Sequence, residues 1–445
     1  MKTFTKISVQ QRQFHDINKA AFADIEKCLI ECADMLFITE KEKVIAIVTK
    51  EDYVKACRGD VEANSNIDKI VNRNFVFLYK DQIEQAGDIF KSKRIKQIPV
   101  FDENDMPIFV LHKSKYSINS NFYCKCLSGL STYFFSINAD LTVSCSCRLR
   151  SASELGSLKK NALREIFYSC RADRIREELR DGSLLSSHCL ICPELVAAPK
   201  LLCDYYADNY SFPKGLMIEN TSVCNLKCKN CYNGIIEKST IDLKDFEKLA
   251  IQLAENNVNK IHLFKFGESF CDRTIDKKLN IIRKYLPNVI IRISTNGMLI
   301  NTSYALDAAI NTDDLIFSLD GVSDEMVSEY QNGSNFTVVY ENMAKVIETR
   351  KMRNLTTPLV TWRYVMFPWN DSEKAIEKAI EKAIEINVDK LQFATGWGQE
   401  KKTNVLFDSN LLLKYMKMYD FEFESGRNPS LILDLRKPKN SYAKI

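Results

Sequence analysis

From Gly215 to Phe393 short apolar runs alternate with helical stretches, and that alternation limits the possible fold more than any other feature. Gly215-Leu-Met-Ile218 reads as a short buried strand. Lys260-Ile-His-Leu-Phe-Lys-Phe266, Val289-Ile-Ile-Arg-Ile293, Leu315-Ile-Phe-Ser-Leu319, Val360-Thr-Trp-Arg-Tyr-Val-Met366 and Lys390-Leu-Gln-Phe393 follow it. Helical patterns at about 241–256, 275–285, 337–352 and 371–386 separate most of these runs. Such alternation predicts βα units and a parallel sheet, because parallel neighbours need a long crossover. In such sheets ligands sit beyond the carboxyl ends of the strands. Four polar segments fall there: Cys224-Asn-Leu-Lys-Cys228-Lys-Asn-Cys231, Gly267-Glu268-Ser269, Ser294-Thr295-Asn296-Gly297 and Asp320-Gly321.

The first of these segments carries three cysteines within eight residues, leaving a strand. Closely spaced thiolates bind soft metals and hold iron–sulfur clusters. A [4Fe-4S] cubane has four irons, so three protein ligands leave one iron for another group. The alternative is a zinc knuckle, but structural zinc sites take four ligands. After Cys231 there is no further Cys or His before His262.

Together these motifs resemble the radical S-adenosylmethionine (SAM) superfamily. The resemblance implies a partial (β/α)6 barrel over residues 208–400, with a [4Fe-4S] cluster on Cys224, Cys228 and Cys231 and SAM on the open iron. Family members carry Gly-Gly-Glu-Pro after the second strand, and Phe266-Gly267-Glu268-Ser269 stands in that place. The resemblance assigns Gly267 and Glu268 to the amino group of SAM, and Ser294 and Asn296 to its ribose and carboxylate. Arg363 suits that carboxylate bidentately, with a structural ion pair as the alternative. The residue before Cys231, usually aromatic in the family, is Asn230 here, a departure on the adenine side. The implied activity is reductive cleavage of SAM to a 5′-deoxyadenosyl radical, which abstracts hydrogen from a substrate C–H bond. A flavodoxin- or ferredoxin-type protein would supply the electron. The sequence points to no particular catalytic residue beyond the cofactor ligands.

A second group, Cys124, Cys126, Cys145, Cys147, Cys170, Cys189, Cys192 and Cys203, precedes the first. Its order resembles the SPASM module, an auxiliary iron–sulfur domain that usually follows the barrel; here it would occupy residues 119–207, in front of it. The expected ligands of a second [4Fe-4S] cluster are Cys126, Cys145, Cys189 and Cys192, with Cys124 and Cys147 competing. Cys170 and Cys203 read as small buried hydrophobes. A four-cysteine zinc site is the alternative.

Residues 1–118 contain an internal repeat. Ala33–Asp52 can be laid over Gln97–Val110, and the two copies resemble the halves of a CBS domain pair, an α/β fold. In that family a Thr-x-x-Asp element holds the ribose of an adenosyl ligand; Thr49 and Asp52 match it. The corresponding stretch of the second copy, His112-Lys-Ser-Lys115, lacks both groups, so one adenylate site at most is expected. A purely structural pair is the alternative. His262, Cys28, Cys32 and Cys57 read as structural.

The 445 residues suggest several domains, residues 401–445 forming a C-terminal extension with a helix near 408–418 and a frayed Pro/Lys/Asn-rich end. With 62 basic and 58 acidic residues the net charge is +4, which does not suggest nucleic acid. Neither a secretory apolar segment nor an apolar run of 18 residues is readable, so a cytoplasmic protein without a membrane span is expected. Fifteen cysteines in such a chain read as metal ligands. An auxiliary cluster favours oxidation, epimerisation or cross-linking over group addition. A CBS-like module favours a sugar, surface-glycan or other small-molecule substrate; a peptide or protein substrate is the alternative. A third reading is a non-catalytic adenylate-sensing iron–sulfur scaffold.

Overall fold

The computed structural model describes residues 4–9, 13–17, 25, 29, 35–49, 52, 67, 70–93, 95–113, 120–131, 135–145, 153–185, 189–190, 192–229, 231–395, 409–424 and 429–439. Cys28, Cys32, Cys57, Cys147, Asn230 and the end beyond residue 439 lie outside them. The chain divides into two compact units, Met1–Phe135 with Thr142–Pro213, and Ser136–Leu141 with Lys214–Ile445.

The first unit holds β1 (Phe4–Ser8), β2 (Phe14–Asp16), β3 (Met35–Glu40), β4 (Lys43–Thr49), β5 (Leu78–Tyr79), β6 (Gln97–Phe101), β7 (Pro107–Lys113) and β8 (Asn121–Cys124). The repeat read in the sequence appears as two antiparallel hairpins, β3–β4 and β6–β7. Each has its own apolar core, Leu36, Ile38, Ala46 and Val48 in the first and Ile98, Val100 and Leu111 in the second. The hairpins lie in separate sheets, β2-β3-β4 and β12-β1-β7-β6-β5, where β12 is Ser183–Leu184 from the cysteine-rich stretch. The remaining strands of this unit are β10 (Thr142–Ser144) against β11 (Glu154–Ser157), and β13 (Leu195–Ala198) against β8.

In the second unit six parallel strands follow one another in spatial and sequence order: β14 (Gly215–Ile218), β15 (Lys260–His262), β16 (Ile290–Thr295), β17 (Asp314–Ser318), β18 (Leu359–Met366) and β19 (Lys390–Thr395). Helices Leu243–Glu255, Ile275–Tyr285, Ser303–Ile310, Phe336–Met352 and Glu373–Glu385 connect them. Four match the helical periodicity of the sequence closely. The fifth, Ser303–Ile310, was not expected, because its Ala-rich run is too short to show a period. The short β9 (Ser136–Ile137) adds a further parallel strand beside β14. At the other side β21 (Ser430–Pro438) runs antiparallel to β19, and β20 (Tyr419–Glu424) pairs with β21. Leu431 and Leu433 alternate into the interior and hold β21 in the sheet. No helix among the described residues is long and apolar enough to cross a membrane.

Candidate functional site

All four residues of β14 are buried, so the polar chain that follows emerges at a fixed point. Glu219 anchors it: Oε2 accepts from Ala139 N at 3.3 Å and Oε1 from Phe266 N at 3.2 Å. Ser222 Oγ donates to Glu237 O at 2.9 Å. The cysteine loop is pinned further on by Lys227 N donating to Asn332 O at 3.0 Å and Lys229 N to Tyr330 O at 2.9 Å. Within it Leu226 N donates to Cys224 Sγ at 3.4 Å. Cys224 and Cys228 are half-buried and Cys231 is exposed.

These three thiols lie in each other's field. Burial, then Cys231 and Cys224, push the Cys228 thiol up to about 12, and burial raises Cys224. Three thiolates at this point therefore call for a compensating cation, and a bound metal inverts this balance by deprotonating its thiols. The donor set thus fits an iron–sulfur cluster. Among the described residues no group of three or more His, Cys, Asp or Glu is already gathered around a metal-sized point.

Gly267 and Glu268 sit directly on this loop. Glu268 N donates to Val223 O at 2.9 Å. A Cβ on Gly267 would fall 2.1 Å from Thr221 O and 2.8 Å from Ser222 Cα, so only glycine allows this approach. The Glu268 carboxylate is buried and turned inward: Oε1 accepts from Phe270 N at 3.1 Å and Thr295 Oγ1 at 2.8 Å, and Oε2 from Asn296 N at 2.7 Å. Burial raises its pKa while these three donors oppose the rise. Asn296 then reaches the loop itself, its Nδ2 donating to Asn225 Oδ1 at 2.8 Å. Gly267, Glu268, Asn296 and Cys224-Asn225 thus form one bonded assembly. Ser294 and Arg363 belong to a neighbouring row, where Ser294 Oγ lies 3.4 Å from Ser318 Oγ and Ser318 pairs in register with Arg363. Arg363 Nε donates to Gln392 Oε1 at 2.9 Å.

Cys271 had no motif to announce it, and Asp320 only the strand-end pair Asp320-Gly321. Cys271 is half-buried, its Sγ lies 3.8 Å from Asn225 Oδ1, and burial, Glu268 and Cys224 push its thiol up to about 12. Asp320 was read only as part of a strand-end turn. Burial pushes its carboxyl up to about 7, with the Val365 N–H and the Arg363 charge acting against the rise.

In the first unit Cys124, Cys126, Cys145, Cys189 and Cys192 come together. Burial first, then Cys124, Cys189 and Cys192, raise the Cys145 thiol strongly. Cys126 is raised by burial, by its hydrogen bond to Cys124, and by the fields of Cys124, Glu194 and Cys192. Cys145 thus lies near Cys124, Cys189 and Cys192, and Cys126 near Cys124 and Cys192. Cys203 is buried with Sγ 3.6 Å from Ala198 O, as a small hydrophobe would be, whereas Cys170 is exposed at the start of the helix Cys170–Arg180 and not buried as expected. Thr49 and Asp52 contact each other: Asp52 Oδ2 accepts from Thr49 N at 2.9 Å and Thr49 Oγ1 at 2.7 Å, and Asp52 N donates back to Thr49 Oγ1 at 3.3 Å. This is the reciprocal pattern of a capping box.

Comparison with known proteins bears on the second unit. Residues 218–389 match the family model of the Radical SAM superfamily. No curated protein matches the sequence. Among solved structures, Streptococcus suis SuiB bound to the precursor peptide SuiA is 19% identical with a TM-score of 0.35, covering 43% of this chain and 44% of that one. The structure of anSMEcpe with bound AdoMet is 18% identical with a TM-score of 0.32, covering 40% and 50%. The CBS domain NE2398 is 16% identical with a TM-score of 0.20, covering 24% of this chain and 81% of that one. The chain spans about half the length of the SuiB structures it matches. The cysteine loop and the strand-end segments bonded to it lie inside the matched stretch, so residues 218–389 form a radical SAM domain.

Proposed function

We propose that the second unit is a partial (β/α)6 barrel that binds SAM against a [4Fe-4S] cluster on Cys224, Cys228 and Cys231. When bound, that pair supplies an electron and a 5′-deoxyadenosyl radical able to remove hydrogen from an unreactive C–H bond. The observation that carries this reading is the bonded assembly of Cys224-Asn225, Gly267-Glu268 and Thr295-Asn296, which fixes three strand-end segments on one another. The Glu268 carboxylate serves that fixation, and the backbone it holds faces the SAM amino group. Ser294 and Asn296 address ribose and carboxylate, and Arg363 receives the carboxylate.

Cys126, Cys145, Cys189 and Cys192, with Cys124 competing for one place, would hold the auxiliary [4Fe-4S] cluster of a SPASM-like module, with oxidation, epimerisation or cross-linking as the reaction class. The proposed substrate is a sugar, surface glycan or other small molecule, modulated through an adenylate at Thr49 and Asp52. The test is anaerobic reconstitution with iron and sulfide, then dithionite and SAM, with 5′-deoxyadenosine read by mass spectrometry. Cys224→Ala, Cys228→Ala and Cys231→Ala should each abolish the product and lose the iron of that site. Continued cleavage of SAM in any of the three would remove the radical reading.

A further inference from the structure

Strand β18 alternates between two faces. Trp362, Tyr364 and Met366 are buried, Trp362 against Phe336 and Tyr340 of the helix Phe336–Met352, so Arg363 lies on the opposite face of the sheet. From Arg363 a row of hydrogen bonds crosses the sheet to its edge. Arg363 Nε donates to Gln392 Oε1 on β19 at 2.9 Å. Gln392 Nε2 donates to Ser430 Oγ on β21 at 3.0 Å, and Ser430 Oγ donates to Glu424 Oε2 on β20 at 2.6 Å. These four strands are immediate neighbours.

The chemistry of the end groups fixes the polarity of every link. A guanidinium only donates, so Gln392 must turn its carbonyl oxygen to Arg363 and its amide to Ser430. A carboxylate only accepts, so the Ser430 proton points at Glu424. Gln392 and Ser430 are 8% and 2% exposed, and Glu424 lies at the surface. Two buried dipoles thus stand aligned between a cation and an anion, an arrangement in which each bond strengthens the next. The last two members come from residues 419–438, beyond the stretch 218–389 that matches the family model.

We infer that the hairpin β20–β21 is a positioning device for Arg363: Glu424 and Ser430 orient Gln392, and Gln392 sets the plane of the guanidinium. A planar fork accepts a carboxylate bidentately only when its plane is right, so the hairpin tunes affinity for the carboxylate of SAM. This rests on the reading above that Arg363 receives that carboxylate.

The experiment compares SAM with decarboxylated SAM by anaerobic calorimetry on the full-length, cluster-reconstituted chain. Ser430→Ala should weaken SAM about fivefold and leave decarboxylated SAM within about twofold, since a hydrogen bond to a charged group is being loosened. Ser430→Thr keeps the hydroxyl and should bind SAM as the parent does. Glu424→Gln at the exposed end keeps an acceptor without the charge and should fall between them, which supplies the test if Ser430→Ala misfolds. Equal weakening of both ligands, or none, in Ser430→Ala and Glu424→Gln would overturn the positioning role. Arg363→Gln separates the two readings. If it leaves the preference for SAM over decarboxylated SAM intact, the carboxylate assignment is wrong. If it abolishes the preference while Ser430→Ala and Glu424→Gln retain it, the hairpin relay alone is wrong.

Discussion

Glu268 shows how one buried carboxylate can bind neighbouring strand-end segments together. Its two oxygens take three donors from Phe270, Thr295 and Asn296, so the site depends on it as an acceptor. Glu268→Gln should therefore be costly although it is nearly isosteric, because one amide nitrogen would face an N–H or O–H donor. A loss of about 1–3 kcal/mol in stability is expected, with weakened SAM binding, measured by denaturant unfolding and calorimetry. Gly267→Ala should act more bluntly, since its Cβ meets backbone that cannot swing away. His262 gives a pH signature. It is buried on β15, and burial, then the charges of Arg292, Lys260 and Arg363, push it down to about 3. The unfolded chain therefore binds one more proton than the folded chain between pH ~6.5 and ~3. His262 makes no demand above pH ~6.5, and stability falls as pH drops below it, by up to ~1.4 kcal/mol per pH unit. In His262→Gln that part of the slope should vanish from urea midpoints taken between pH 6.5 and 5; an unchanged slope would contradict the assignment. Gly267, Glu268, Ser294 and Asn296 were legible because they stand in recognisable strings at strand ends. Cys271 and Asp320 acquire their surroundings only through contacts distant in sequence, and no local pattern records those.

At the scale of elements, periodicity located the parallel strands and most of their helices because each carries an apolar stripe of its own. The hairpin β20–β21 was not legible, since Tyr419-Asp-Phe-Glu-Phe-Glu424 alternates with both faces exposed and nothing in it names a partner strand. Neither was the pairing of β12 with β1, which ties the cysteine-rich stretch to the repeat in one compact unit. An adenylate test on Thr49 and Asp52 accordingly belongs on the full chain, where β1 keeps its neighbour. Within the same unit Arg176 clamps the turn after the first cysteine pair. Its Nε donates to Leu127 O at 3.0 Å and its Nη2 to Phe167 O at 2.9 Å, while the guanidinium lies 3.6 Å from the centroid of Tyr210. A lysine cannot present that fork or stack in the same way. Arg176→Lys should cost about 2–4 kcal/mol, as two buried carbonyls lose a charged donor. Since Leu127 follows Cys126 directly, metal content in the first unit should fall as well, read by elemental analysis of anaerobically purified protein.

Each compact unit of the whole molecule carries its own set of thiols, Cys124, Cys126, Cys145, Cys189 and Cys192 in one and Cys224, Cys228 and Cys231 in the other. Burial and neighbouring thiols raise Cys126 and Cys145 in one set and Cys228 in the other, so a cationic centre in each would relieve them. Because the two sets share no ligand, their losses should be independent. Two [4Fe-4S] clusters amount to about eight irons per chain. Cys126→Ala or Cys145→Ala should reduce this to about four and leave the iron of the other set in place. Cys224→Ala should give the complementary loss. About four irons with one zinc in the unaltered chain would instead make the first unit a zinc module, because four cysteines also satisfy a tetrahedral zinc site. Elemental analysis of the anaerobically purified chain and of these three variants decides between the two. Loss of all metal from a single substitution in either unit would contradict two independent centres.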